Sequence, residues 1–368
     1  MTEQIEGMQQ LHDTDANLTS NGTVLKEGEF FHGTDTDRVR IGDGSTQGKN
    51  RPYFYDSNHE GYIQRLNGLY SGKLLSDNAE NAAEITSAGD VFTWLEARRS
   101  AGNFKNINVG DKVQFTIGSG TITDAAATAY TGTYSHTIST AQTMTAEIVG
   151  INTYKGYGDG GHEVGNHIDF RCTAKVNISP NVIWQRSNNN NGTSENQNPY
   201  MSSVVRALLL GINNYSTNAY NSVAHGADFS AGGLYDLLPS AMKNVLKNKR
   251  LYVGTRYSAT QLLTQDTGGA WVDLGKIWLF FERELFGCGI NSVSKDAYGV
   301  DRSNCGCHPY PILQERAGSA KTAGRVHSWG ASVSSGSSER ACYLHNVGNA
   351  VADNCTHTGI TLVFGFRI

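Results

Sequence analysis

The feature that most constrains this chain is its ending. A tract of Ser, Asn, Gly, Ala and His, "HSWGASVSSGSSERACYLHNVGNAVADNCTHTG" (residues 327–359), runs without clear period straight into "ITLVFGFRI". In that last stretch Ile360, Leu362, Phe364, Phe366 and Ile368 alternate with Thr361, Val363, Gly365 and Arg367, the period-two pattern of a half-buried strand. A strand has to pair, so the polar tract before it is held at its far end and is expected to be displayed rather than disordered. Within the tract, Trp329 offers a second anchor and "RACYLHNV" alternates on its own account. Read as a strand, it sends Cys342 and Leu344 to one face and Ala341, Tyr343 and His345 to the other.

With 368 residues the chain can hold two or three domains with real cores. Charged residues make up 17% and the net charge is −4, so no basic field exists to hold nucleic acid or an anionic membrane. Gly 42 and Tyr 17 against Pro 6 describe a turn-rich, strand-rich chain that displays aromatic and small polar groups, a mixture suited to loop-borne binding surfaces. The opening "MTEQIEGMQQLHDTD" lacks a basic flank and an apolar core, and no run of about eighteen apolar residues occurs. Neither a signal peptide nor a membrane span is expected. Cys172, Cys288, Cys305, Cys307, Cys342 and Cys355 are irregularly spaced. Separate reduced thiols are expected, with a Cys342–Cys355 bridge across the displayed loop as the alternative.

The pattern along the chain is α+β. Residues 1–58 open with a polar arm and then carry short strands over Glu29–His32 and Arg38–Ile41, separated by turns; this element is too small to hold a core alone, which points to completion by neighbouring copies. Residues 59–104 read as a helical linker, with Asp90 capping a helix that carries Val91, Phe92 and Leu95. Residues 105–186 read as a β-rich region built on "DKVQFTI", "MTAEIVG" and "HIDFRCTAKV", with the Thr/Ala-rich stretch between them forming hairpins and loop. In residues 187–368, Met201, Val204, Val205, Leu208, Leu209 and Ile212 fall on one helical face, and Pro239 starts a second helix with Met242, Val245 and Leu246 inward.

Two segments carry a family resemblance. Gly28, Glu29 and Phe30, then Thr34, Asp35 and Thr36, then Ile41, Gly42, Asp43 and Gly44, then Pro52 and Tyr53 resemble the tail-attachment element of phage tail fibres and of the major tropism determinant family. From about residue 90 onward, "NVGDKVQFTI", "AEIVGI", "HIDFRCTAKV", "YMSSVVRALLL", "LLPSAMKNVL", "KIWLFFERELFG" and "FGFRI" stand in the order of a C-type-lectin-like domain of the formylglycine-generating-enzyme type, although that family's Trp-Trp-Leu-Arg segment is here "HSWGAS". The resemblance implies a phage receptor-binding protein on the virion tail, a homotrimer that contacts tail or baseplate proteins at one end and a host-surface receptor at the other. It also implies that residues 327–358 carry the substitution alphabet of a diversity-generating retroelement, in which Asn codons are rewritten while scaffold positions stay fixed. The expected ligand-binding residues are His327, Ser328, Trp329, Ser332, Ser334, Ser335, Ser337, Tyr343, His345, Asn346, Asn349, Asp353, Asn354 and His357; those for tail attachment are Gly28, Glu29, Phe30, Asp35, Ile41, Gly42, Asp43 and Gly44.

Chemistry finds less support. "HEVGNH" (162–167) places its histidines five apart in a Gly-rich stretch, which disfavours the zinc-binding helix that needs them four apart. "CGCH" (305–308) lacks a second ligand pair at finger spacing, and Asp35, Asp37 and Asp43 do not follow a calcium loop. No cofactor or metal is expected. A polysaccharide-degrading tail enzyme and a purely structural baseplate component remain the alternatives.

Overall fold

Alternation and side-chain caps decide where most elements lie in the computed structural model, which describes residues 72–126, 135–186, 198–217, 224–254, 269–292, 306–316, 318–334 and 339–368, with short strands and single positions before residue 48. The chain divides into two units, Met1–Ser71 and Gly72–Ile368. In the first, β1 (Gln10–Asp13) lies parallel to β2 (Phe30–Gly33), which pairs antiparallel with β3 (Arg38–Ile41). The two expected strands are therefore present, joined by a third from the polar arm, and Phe31 is buried. Phe30 and Ile41 face each other across β2 and β3. Gly28, Glu29, Asp35, Gly42, Asp43 and Gly44 lie outside the described residues.

The second unit begins with α1 (Ala79–Ala88), capped by Asn78, and α2 (Val91–Ser100), where Asp90 Oδ1 accepts the Phe92 and Thr93 amides at 2.8 and 2.9 Å. There follow β4 (Lys112–Ile117), the hairpin β5 (Gly120–Thr123) and β6 (Ser135–Ile138), β7 (Gln142–Ile151) and β8 (Ile168–Cys172). Next come α3 (Val204–Leu210), the short pair β9 (Ser216–Thr217) and β10 (Ala224–His225), α4 (Ser240–Val245), the ribbon β11 (Lys249–Gly254) and β12 (Gly269–Gly275), and β13 (Ile277–Trp278). Two short helices, α5 (Glu282–Phe286) and α6 (Pro311–Glu315), precede β14 (Ser328–Val333), β15 (Arg340–Leu344), β16 (Ala350–Asn354) and β17 (Gly365–Arg367). The helix expected from Met201 to Ile212 is shorter, because Ser203 caps it at one end and Gly211, at φ 67°, stops it at the other.

The central sheet has the order β13-β17-β8-β7-β4. It draws strands from both sides of residue 186, and Phe92 of α2 meets Phe115 and Phe366 edge-on at 6.2 and 6.5 Å. The boundaries expected at 104 and 186 therefore fall inside one unit. The ending also differs from a half-buried strand: residues 360–368 are all buried. Thr361 bridges to Ser328, the Leu362 and Phe364 carbonyls accept the Val176 and Cys172 amides, and only Gly365–Arg367 joins the sheet as β17. Gly365 has no room for a side chain, since a Cβ there would come within 2.6 Å of the Phe280 ring and 2.8 Å of the Phe170 carbonyl.

Arg367, placed by alternation on an outward face, turns into the core and binds Asp169 through two hydrogen bonds of 2.7 and 2.9 Å. Asp169 Oδ2 also accepts the Tyr310 hydroxyl at 2.8 Å, and Tyr310 Oη in turn accepts from Lys249 Nζ at 3.0 Å. Lys249 pairs with Glu284, which takes the Tyr154 hydroxyl at 2.7 Å. Lys249 Nζ lies 4.6 Å from the centre of the Trp278 ring and 4.8 Å from that of Tyr154. Burial alone would raise the Asp169 carboxyl, but the Arg367 guanidinium overrides it and holds that carboxyl well below the usual range. His167 stands at the margin: its Nδ1–H donates to the Gly165 carbonyl at 2.9 Å, and its Nε2 accepts the Tyr154 amide at 3.0 Å. Burial pushes its pKa down to about 4, against the opposite pull of Asp169.

Two outcomes follow from this hub. Asp169→Asn leaves the Arg367 guanidinium buried without its counter-charge and should cost about 3–5 kcal/mol, read as a lower urea midpoint. His167 has a folded pKa below its unfolded one, so its contribution is fully present above pH 6.5 and is lost as pH falls toward 4, where the folded form also takes the proton. That loss amounts to about 3 kcal/mol. Urea titrations of the protein and of His167→Gln between pH 7 and 4 should show the variant with the shallower decline.

Candidate functional site

The three-stranded sheet β14-β15-β16 carries most of the residues expected to meet a ligand. Trp329 stands opposite Tyr343, which stands opposite Val351, and Ala341 stands opposite Asp353. One face therefore carries Trp329, Tyr343 and Asp353, extended past the ends of β14 and β15 by His327 and His345. The rings form a graded series. Trp329 is 2% exposed and meets Tyr343 edge-on at 6.2 Å; Tyr343, at 8%, lies 5.6 Å from His327 and 6.1 Å from His345. His327 and His345 are partly exposed, with ring centres 4.3 Å apart. Beyond them His357 Nε2 sits 3.8 Å from Asp353 Oδ2, the two side chains being 46% and 37% exposed.

Local backbone amides select the tautomers. His345 Nδ1 faces the Val347 amide at 3.4 Å, across a turn closed by Gly348 at φ 92°. His357 Nδ1 accepts the Gly359 amide at 2.9 Å. Each neutral ring then presents Nε2–H as a donor, His357 toward Asp353. His327 is pushed below the ordinary histidine pKa by burial and by the neighbouring His345 and His357. Tyr343 is pushed upward by burial and by Asp353. The face can stack on a ligand, donate from imidazoles and accept at a carboxylate. Among the described residues, no group of three or more His, Cys, Asp or Glu is arranged to hold a metal ion.

The support behind this face is more regular than the sequence suggests. The Trp329 indole N–H donates to the Val182 carbonyl at 2.9 Å, and the Trp184 indole N–H to the Gly330 carbonyl at 3.0 Å. The Glu282 amide donates to Ser332 Oγ at 3.0 Å, and the Ala331 amide to the Phe280 carbonyl at 2.9 Å. The Glu282 carboxylate is itself buried and accepts the amides of Ile290, Asn291 and Ser292 at 2.9, 3.0 and 2.9 Å. The Cys342 thiol bonds it too, and burial together with Glu282 pushes that thiol well above its usual pKa.

This arrangement corrects the expected ligand set. Ser328, Trp329 and Ser332, at 3%, 2% and 4% exposure, hold the sheet in place rather than lying on its surface. Tyr343 offers little more than its margin. His327, Ser334, His345, Asn346 and Asp353 are partly exposed, and Asn349, Asn354 and His357 are exposed. Ser335 and Ser337 lie outside the described residues. The supporting residues Val182, Trp184 and Glu282 were not found in the sequence, since nothing in their spacing links them to residues 327–344. In "HEVGNH", His162 and Glu163 are exposed while His167 is committed to the core hub. In "CGCH", Cys307 is buried and His308 stacks on Tyr154 at 4.7 Å; Cys305 lies outside the described residues.

Comparison with protein-family models, curated proteins and solved structures finds no match.

Cys172, Cys307, Cys342 and Cys355 are buried free thiols, and Cys288 is an exposed one. Mass-mapped alkylation of the native protein should therefore modify Cys288 within minutes and reach Cys342 and Cys355 only after unfolding; equal labelling, or a Cys342–Cys355 disulfide in the untreated protein, would contradict the sheet geometry.

Proposed function

We propose that the chain is a bacteriophage tail-fibre tip or tail-associated receptor-binding protein, and that it binds rather than transforms its ligand. On this reading it is a homotrimer on the virion. The β1-β2-β3 element contacts tail or baseplate proteins, and a C-type-lectin-like second unit holds a host-surface receptor, protein or glycan, through the face built from residues 327–358. The observation that carries the reading is the division of labour within one small sheet. Its inward residues, Ser332 and Cys342, are tied to Glu282, while its outer margin offers His327, His345, Asn349 and His357 with no role in that tie. Outer residues of this kind can change while the backbone beneath them stays put, which is what a recognition surface under diversification requires. Aromatic and imidazole groups supply contact area at low entropic cost, and several copies on one virion multiply weak contacts.

The test uses the fluorescently labelled full chain and a panel of whole bacterial cells. The protein should label at least one strain. The triple variant His327→Ala/His345→Ala/His357→Ala should lower that labelling about tenfold or more while shifting stability by about 0.5 kcal/mol per exposed site. Undiminished labelling by the variant, or no labelled strain, overturns the reading.

A further inference from the structure

The ribbon β11–β12 has one buried face, formed by Leu251, Val253, Val272 and Leu274. Its other face carries Arg250 opposite Asp273 and Tyr252 opposite Trp271, and all four retain exposure. Tyr157, from the segment between β7 and β8, brings its ring within 4.9 Å of Trp271 at a tilt of 51°, and Tyr252 meets Trp271 edge-on at 5.6 Å. His308 lies 4.8 Å from Tyr157. The wall is braced from behind at Gly306, where a Cβ would come within 2.1 Å of both the Tyr157 hydroxyl and the Tyr252 carbonyl, so only glycine fits.

Beside the rings, Arg250 binds Asp159 through two hydrogen bonds, Nε to Oδ1 at 2.6 Å and Nη2 to Oδ2 at 2.9 Å. Both side chains are part-exposed, at 25% and 32%. The hydrogen bond from Arg250 lowers the Asp159 pKa and raises that of Arg250, so the pair remains ionised through the physiological range. A bidentate pair of this kind is fixed in a plane and locally neutral. An anion would have to draw Arg250 away from its carboxylate, and a cation would have to draw Asp159 away from its guanidinium. A hydroxyl needs neither, because it can donate to one partner and accept from the other. Part-exposed aromatic rings beside such a pair suit a ligand with an apolar C–H face and a rim of neutral hydroxyls.

We infer that Tyr157, Tyr252 and Trp271, with the Arg250–Asp159 pair, form a binding site for a neutral pyranose unit of a glycan chain. The site shares no residue with the face on β14–β16 and does not depend on the function proposed for it.

Affinity electrophoresis of the full chain in native gels containing dextran, mannan, xylan or hyaluronan tests this, with a proline-rich peptide assayed in parallel by fluorescence polarisation. Retardation is expected in at least one of the three neutral polysaccharides and not in hyaluronan. Trp271→Ala should weaken it about tenfold or more, Trp271→Phe should retain most of it, and Arg250→Gln should weaken it with the melting temperature kept. No retardation in any neutral gel, preference for hyaluronan, binding of the peptide alone, or unchanged retardation of Trp271→Ala when Trp271→Phe is folded would each overturn the assignment.

Discussion

The ion pair between Asp169 and Arg367 is the constraint on which the rest of the second unit depends. The two residues are 198 positions apart, fully buried, and joined at both oxygens of the carboxylate. Taking both charges out of water is expensive, and an apolar pair of similar volume would often serve stability as well or better. What the pair supplies is uniqueness. Tyr310, Lys249, Glu284 and Tyr154 complete their hydrogen bonds through it, so β8, β11, β17, α5 and the approach to α6 meet in one register. A slip of β17 by one residue would place Phe366 where Arg367 belongs and leave Asp169 buried without its counter-charge.

The same pairing explains how an irregular tract can be held firmly. Thr361 donates its amide and hydroxyl to the His327 carbonyl at 2.9 and 2.6 Å, so the two ends of the displayed segment are tied to each other. β17 then fixes the segment to the central sheet from Gly365, four residues after Thr361. Between those ties, Trp329, Gly330 and Ser332 are held by Val182, Trp184 and Glu282, while Asn349 and His357 keep their side chains exposed. Firmness comes from main-chain and core contacts, whose geometry does not depend on which side chains occupy the outer margin.

Much of this was legible in the sequence. Asp90 as a cap, the face of α3, Pro239 ahead of α4 and the alternation in β4 and β7 each declare an element through local physics, and each of those elements is present. The α+β class followed from those elements. The described residues of the polar tract do form a sheet, with Tyr343 on one face of β15 and His345 continuing that face beyond its end. The errors have a common cause. Trp329, Ser328, Ser332 and Arg367 were placed by composition or alternation, whereas their true positions depend on partners far away in the chain: Val182, Leu344, Glu282 and Asp169. Alternation separates two faces of a strand, but it cannot say that both faces are covered, as they are in β14 and in residues 360–368. The aromatic wall of Tyr157, Tyr252 and Trp271 was invisible for the same reason, since three separate segments contribute one ring each.

Long-range closure has a further consequence for how such a chain tolerates change. The hub draws on residues from 154 to 367, and its pairing across 198 positions forms only after the intervening loops have closed, an entropic cost that local helices do not share. Residues in that hub therefore act on both the stability of the sheet and the rate at which it forms. The hydrogen bonds that build the hub involve none of His345, Asn349 and His357, so substitution at that margin should move stability far less than substitution at Asp169 or Arg367. Separating the two sets of residues lets a folded scaffold carry a wide range of surfaces, each change drawing little on the margin of stability that the buried charges and rings maintain.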